Sequence, residues 1–166
     1  GSFLDIAKDH FPDKPAIISE DNRYTYRQFK DRIQRLMGGL FMLGVQKGDR
    51  VAAILNNCPE FIELFLACAR LGAIFVPLNF RLAAAELEYL LKNCRPRLFV
   101  FGQEYTDTVR RLDVEHTRPS VMLSSVGQKP SDASIIDYIT TLAAFAHQKP
   151  FLTRSLGPTN PEEAEV

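Results

Sequence analysis

The sequence predicts an α/β domain, with a mostly parallel sheet, helices on both faces and a small N-terminal β-hairpin. Short continuous apolar runs at residues 50–55, 73–77 and 97–101 alternate with segments of helical periodicity. That alternation is the mark of βαβ units joined by right-handed crossovers, with strands covered on both faces. The length of 166 residues suits one domain. A content of 46% hydrophobic and 24% charged residues is enough to build a core and too apolar for a disordered chain.

Each element has a local reason. Residues 3–11 place Phe3, Leu4, Ile6, Ala7 and Phe11 near helical spacing, and Pro12 ends that helix. Pro15-Ala16-Ile17-Ile18 reads as a strand, Glu20-Asp21-Asn22-Arg23 as a polar turn, and Tyr24-Thr25-Tyr26 as the β-prone partner. The clearest helix covers 26–43. Phe29, Ile33, Leu36, Met37, Leu40 and Leu43 recur at intervals of three and four, opposite Arg27, Lys30, Asp31, Arg32 and Arg35. Gly44 is placed to end it in a left-handed conformation.

After the strand at 50–55, Asn56-Asn57-Cys58-Pro59 turns the chain into a helix over 60–71. That helix is apolar on nearly all sides and is expected to be deeply buried, with Gly72 as its stop. A strand at 73–77 follows, then a helix over 83–93 with Leu87, Leu90, Leu91 and Cys94 inward. Arg95-Pro96 breaks it before the strand at 97–101. A helix over 104–112, a fourth strand over 120–123 and one more helix over 135–146 complete the expectation. Residues 1–147 form the domain. Residues 148–166, with Pro150, Gly157, Pro158 and Pro161 and then Glu162, Glu163 and Glu165, read as a linker.

Composition excludes several classes. The 20 Lys and Arg equal the 20 Asp and Glu, and zero net charge argues against a general binder of nucleic acid or of an anionic membrane. No run reaches the ~18 apolar residues of a membrane span; Arg70 interrupts the nearest, at 64–78. No secretory leader pattern is visible. Cys58, Cys68 and Cys94 are widely spaced without a Cys-x-x-Cys pair, and His10, His116 and His147 are dispersed. They read as buried free thiols of a reducing cytoplasm with no metal site. Gly1-Ser2 resembles a cloning scar, and the polar end at Glu165-Val166 suggests a piece of something longer.

Tests for chemistry give partial matches only. Gly44-Val45-Gln46-Lys47-Gly48-Asp49 has its glycines too close for a phosphate loop, puts Asp49 where Lys is needed and precedes a strand, so it reads as a helix stop plus a tight turn. Gly38-Gly39, inside the long helix, suits close packing against a neighbour. The turn after the first apolar strand lacks the glycines of a dinucleotide site, and no Gly-x-Ser-x-Gly elbow exists. Asn56 and Asn57 stand where a response regulator would carry an acid. Glu60 and Glu63, one helical turn apart, read as solvated or capping carboxylates. Arg110-Arg111, with Arg118 nearby, could grip a phosphate but suit an exposed helix face better. Asn79 and Arg81 follow a strand's carboxyl end and are the best-placed polar pair, as suited to fixing the loop as to touching a ligand.

Three stretches carry a family resemblance, spanning about Phe3 to Leu112 and more weakly to Val166. They are Tyr24-Thr25-Tyr26-Arg27-Gln28-Phe29, Leu43-Gly44-Val45-Gln46-Lys47-Gly48-Asp49-Arg50-Val51 and Ala69-Arg70-Leu71-Gly72-Ala73-Ile74-Phe75-Val76-Pro77-Leu78-Asn79. In this order and spacing the chain resembles the N-terminal part of the AMP-forming acyl-CoA synthetases of the adenylate-forming superfamily. Pro77-Leu78-Asn79, Arg81 and Glu86-Leu87-Glu88-Tyr89-Leu90-Leu91 look more like the acyl- and aryl-CoA synthetases than the peptide-synthetase adenylation domains.

The resemblance implies a two-step reaction for a parent enzyme. A carboxylate attacks the α-phosphate of ATP with Mg²⁺, and CoA then displaces AMP from the acyl-adenylate. The implied partners are the remainder of the synthetase and a carboxylic acid, of fatty type, in the parent. The family's phosphate loop falls after Val166, so the resemblance implies no catalytic, cofactor-binding or metal residue in this chain, which is expected to be inactive alone. Arg110 and Arg111 fall near where some relatives hold the CoA nucleotide phosphate, and no site is assigned to them. A lobe cut from its neighbours would expose apolar surface and self-associate. The alternative is a naturally short, non-catalytic binding or assembly module derived from the same lobe.

Overall fold

The structure, a computed structural model, describes residues 3–19, 22–112, 120–123 and 135–137, the last two stretches by backbone alone. Helix α1 (Phe3–His10) leads into an antiparallel hairpin of β1 (Pro15–Ile18) and β2 (Arg23–Thr25). Then come α2 (Tyr26–Met42), β3 (Arg50–Ile54), α3 (Pro59–Leu71), β4 (Ile74–Pro77), α4 (Ala84–Cys94) and β5 (Leu98–Gly102). A 3-10 turn at Gln103–Tyr105 precedes the short α5 (Thr106–Arg110), and β6 (Ser120–Leu123) and β7 (Ile135–Asp137) follow.

Five strands form one sheet in the order β4-β3-β5-β6-β7, every neighbouring pair parallel. The expected helix over 135–146 is therefore corrected at its start. Residues 135–137 pair with β6, because the β-branched pair Ile135-Ile136 favours extended backbone and a parallel edge is open to receive it. Residues 138–147, the linker at 148–166, His116 and Arg118 lie outside the described residues.

The period of two along each strand splits the core. Val51 and Ala53 of β3 and Leu98 and Val100 of β5 pack with α1, α2 and α3 through Leu4, Ile33, Leu40, Leu64 and Cys68. Ala52, Ile54, Phe99 and Phe101 point the other way, to Leu87 and Leu91 of α4 and to Val109 and Leu112. Helices thus cover both faces. Each fully buried Ile, Leu or Phe contributes about 1.5–3 kcal/mol.

Caps set the boundaries. Thr25 and Gln28 form a capping box that opens α2. Gly44, at φ 80°, follows the last turn of α2, and Gly72, at φ 73°, closes α3, as their sequence positions predict. Pro59 is the first residue of α3.

Two expectations about burial fail. Among the described residues one side of α3 is covered: Leu64, Ala67 and Cys68 are buried, while Ile62 and Phe65 are 40% and 50% exposed. Periodicity reports where apolar groups lie and not whether a neighbour exists to cover them. Of the three free thiols only Cys68 is buried, since Cys58 and Cys94 sit at helix ends and are partly exposed.

Candidate functional site

A doubly wound sheet places ligands where successive connections leave one strand in opposite directions, at the carboxyl ends. In this sheet that point lies between β3 and β5, because β4 lies on one side of β3 and β5 on the other. The residues there are Asn56, just after β3, and Glu104 and Tyr105, just after β5.

These groups engage one another. The Asn56 amide donates to Glu104 Oε1 at 2.6 Å, and the Tyr105 hydroxyl donates to Asn56 Oδ1 at 2.5 Å. Burial, reinforced by the Glu104 charge and then by Cys58, raises the Tyr105 pKa, so the phenol stays a donor at neutral pH. The Glu104 carboxylate folds back over Gly102, where an added Cβ would come within 2.6 Å of it. Sequence reasoning missed this triad, because Asn56 and Tyr105 are 49 positions apart and meet only across the sheet.

Next to it, the Asn79 side chain accepts from the Arg81 N–H at 3.0 Å, an Asx turn that fixes the loop after β4. Phe80 of that loop meets the Tyr105 ring at 6.2 Å, and the Arg81 guanidinium lies 5.6 Å from the Phe80 ring. The Asn79 side chain thus fixes the loop through the Arg81 backbone, and Phe80 ties the loop to the triad.

A second constellation lies on the other helical layer. Glu63 is 0% exposed, the one buried charged side chain among the described residues. Arg32 grips it with two hydrogen bonds, one of them Nη2 to Oε2 at 3.1 Å. Glu60 Oε1 stands 3.6 Å from the same guanidinium, which also lies 4.5 Å from the Tyr24 ring. The reading of Glu60 and Glu63 as solvated or capping carboxylates is therefore corrected for Glu63. Its partner is 31 residues away in sequence, so spacing within α3 carried no sign of it. The network joins hairpin, α2 and α3 and does structural work: both Glu63 oxygens are already bonded, as a buried charge requires.

The remaining candidates sort simply. Arg110 is exposed and pairs with Asp107 at 3.6 Å, Arg111 is also exposed, and neither joins the triad. The segment from Gly44 to Asp49 is a tight turn, with the Asp49 carboxylate accepting the Gln46 N–H at 2.8 Å. A cleft of about 430 Å³ between β1 and the start of α3 is lined mainly by apolar groups, Ile17, Phe61 and Ile62 among them, with Cys58 beside them. Burial raises the thiols of Cys58 to about 11 and Cys68 to about 12, so neither is a nucleophile at neutral pH.

A triphosphate with Mg²⁺ needs cations, backbone N–H groups and acidic ligands converging on one point. The crevice offers a carboxylate, an amide and a phenol bonded to each other, and among the described residues no group of three His, Cys, Asp or Glu could hold a metal. These residues do not fit ATP.

Comparison with known proteins gives the wider frame. The chain is 32% identical over 140 residues to the crotonobetaine/carnitine–CoA ligase of Salmonella heidelberg (strain SL476), covering 81% of this chain and 27% of that one. The chain thus spans about a quarter of the length of the curated relatives it matches. Among solved structures it matches a fatty acyl CoA synthetase of Mycobacterium tuberculosis with TM-score 0.69 and 26% identity, over 89% of this chain and 28% of that one. It also shares the fold of the anthranilate CoA ligase AuaEII in complex with anthranoyl-AMP, with TM-score 0.78 and 24% identity, over 85% and 27% of the two chains. The family described as AMP-binding enzyme matches residues 4–158, and the chain belongs to that family.

Proposed function

We propose that this chain is the N-terminal lobe of an ATP-dependent, AMP-forming acyl-CoA synthetase and acts as its scaffold. The parent converts a carboxylic acid, ATP and CoA to acyl-CoA, AMP and pyrophosphate through an acyl-adenylate. The observation that carries the scaffold reading is the crevice itself, whose polar groups are bonded to one another. The reaction class is supported by the CoA ligases among the relatives. In this reading ATP, Mg²⁺ and CoA are held by the rest of the polypeptide. Ile62 and Phe65 belong to the surface that the rest of the polypeptide covers, and the isolated chain self-associates through it.

The test is pyrophosphate release with ATP, Mg²⁺, CoA and mixed fatty acids. It is run on the 166-residue chain and on the polypeptide encoded through and past Val166. The longer polypeptide is expected to turn over and the chain not to. Turnover by the chain overturns the scaffold reading. A stop codon directly after Val166 favours the non-catalytic module instead.

A further inference from the structure

The cleft between β1 and the start of α3 takes no part in the crevice at the carboxyl ends: none of its lining residues belongs to the Asn56, Glu104 and Tyr105 triad. One wall is Ala16, Ile17 and Ile18 of β1, and the other is Pro59, Phe61 and Ile62 of α3. The volume of about 430 Å³ lies within the ~300–1,000 Å³ of small-molecule sites.

Both walls are held without a ligand. Arg32 grips Glu63 of α3 and lies 4.5 Å from the Tyr24 ring of β2, the strand paired with β1. The Phe61 ring meets the Phe75 ring edge-on at 5.2 Å, and the Phe61 N–H donates to the Cys58 carbonyl at 3.2 Å. At the end of β1 the Ser19 N–H donates to the Asn22 carbonyl at 2.8 Å. A pocket whose walls are fixed beforehand costs a ligand little reorganisation.

The lining narrows the chemistry of the ligand. Among the described residues it is apolar apart from Ser19, Asn57 and the Cys58 thiol, and it holds no Lys, Arg, Asp or Glu. Glu60, beside Pro59 in sequence, turns to Arg32 at 3.6 Å and stays out of the lining. An ionised head would be left unpaired there, whereas a neutral one meets the Ser19 hydroxyl and the Asn57 amide. An added peptide strand is disfavoured too: Pro15 has no N–H, and the β1 ladder shifts register between Pro15 and Ile17.

We propose that this cleft binds one aliphatic chain with a neutral, hydrogen-bonding head, the chain lying between Ile17 and Phe61 and the head at Ser19 and Asn57.

The test is calorimetric titration of the 166-residue chain with 1-hexanol, 1-octanol and 1-decanol. One saturable site is expected, with affinity rising about two- to fourfold per methylene, fourfold being the value for complete burial. Decanoate should bind more weakly than 1-decanol, because its carboxylate finds no cation in the lining. Alkylation of Cys58 should slow as 1-decanol saturates, while Cys94, outside the cleft, reacts as before. Ala16→Leu fills the cleft and should abolish the saturable heat. Ile18→Ser, at a side chain 66% exposed and so little needed for folding, should weaken binding severalfold, and Ile74→Ser, outside the lining, should leave it unchanged. Absence of saturable heat, equal affinity for 1-hexanol and 1-decanol, decanoate binding as tightly as 1-decanol, or protection of Cys94 along with Cys58 would overturn the proposal. A dimer in sedimentation velocity that protects Cys58 without alcohol would also overturn it, and would assign the cleft to a second copy.

Discussion

Glu63→Gln isolates the charge that α3 carries into the interior. Glu63 is fully buried and held by two hydrogen bonds from Arg32. Removing one partner of a buried ion pair costs about 3–5 kcal/mol, chiefly because the other charge is left behind. Here the Arg32 side chain is 25% exposed, and it keeps Glu60 at 3.6 Å and the Tyr24 ring at 4.5 Å, which offsets part of that loss. Gln also preserves shape and one acceptor. The expected cost is therefore about 2–3 kcal/mol, a fall in melting temperature of roughly 4–12 °C for a chain of this size. Thermal and urea melts followed by far-UV circular dichroism at neutral pH measure it. Arg27→Ala is the control: it breaks the Arg27–Asp13 pair, whose side chains are 56% and 81% exposed, and should change little. The double variant Arg32→Met with Glu63→Leu should recover most of the loss, since a buried pair replaced by apolar groups is often neutral. A Glu63→Gln protein within about 0.5 kcal/mol of the parent would refute the claim that this pair clamps hairpin, α2 and α3 together.

Three further predictions concern thiols and turns. Native-state labelling at pH 8 should be slow at Cys94 and Cys58 and should reach Cys68 only through unfolding; Cys68 labelling as fast as in urea would contradict its burial. Because the folded pKa values of Cys58 and Cys68 are raised to about 11 and about 12, their stabilising contribution is complete below the ordinary thiol range and is lost as pH rises through those values. Urea midpoints should accordingly fall between pH 8 and pH 11, and less steeply in Cys68→Ala. Gly48→Ala, at φ 85° with no atom within 4 Å of the added Cβ, should cost about 1 kcal/mol from backbone conformation alone. Gly72→Ala, at φ 73° with Lys47 Cγ 2.9 Å from the added Cβ, should cost somewhat more; equal melting temperatures for both variants and the parent would contradict the left-handed assignments.

Much of the fold was legible because its signals are local. The three- and four-residue recurrence in α2, Gly44 and Gly72 as stops and the alternation of apolar runs with helices all act within a few residues, and the structure follows them. What was not legible depends on distant neighbours. Glu63 resembles any helical glutamate until Arg32 of another helix is placed against it. The outer face of α3 is apolar, yet no described element covers it. Ile135 fits a helical pattern in isolation and becomes strand because β6 offers an edge. The Asn56, Glu104 and Tyr105 triad joins turns after two strands that are adjacent in space and far apart in sequence. Asn79 and Arg81 were found because a strand's carboxyl end is a positional signal, and the Asn79 side chain accepts the Arg81 backbone N–H there.

The scaffold reading is tested most directly by calorimetric titration of the 166-residue chain with Mg-ATP. A crevice whose polar groups are bonded to one another should give no saturable heat. Saturable binding near one equivalent, lost in variants of Asn56 or Tyr105, would contradict it.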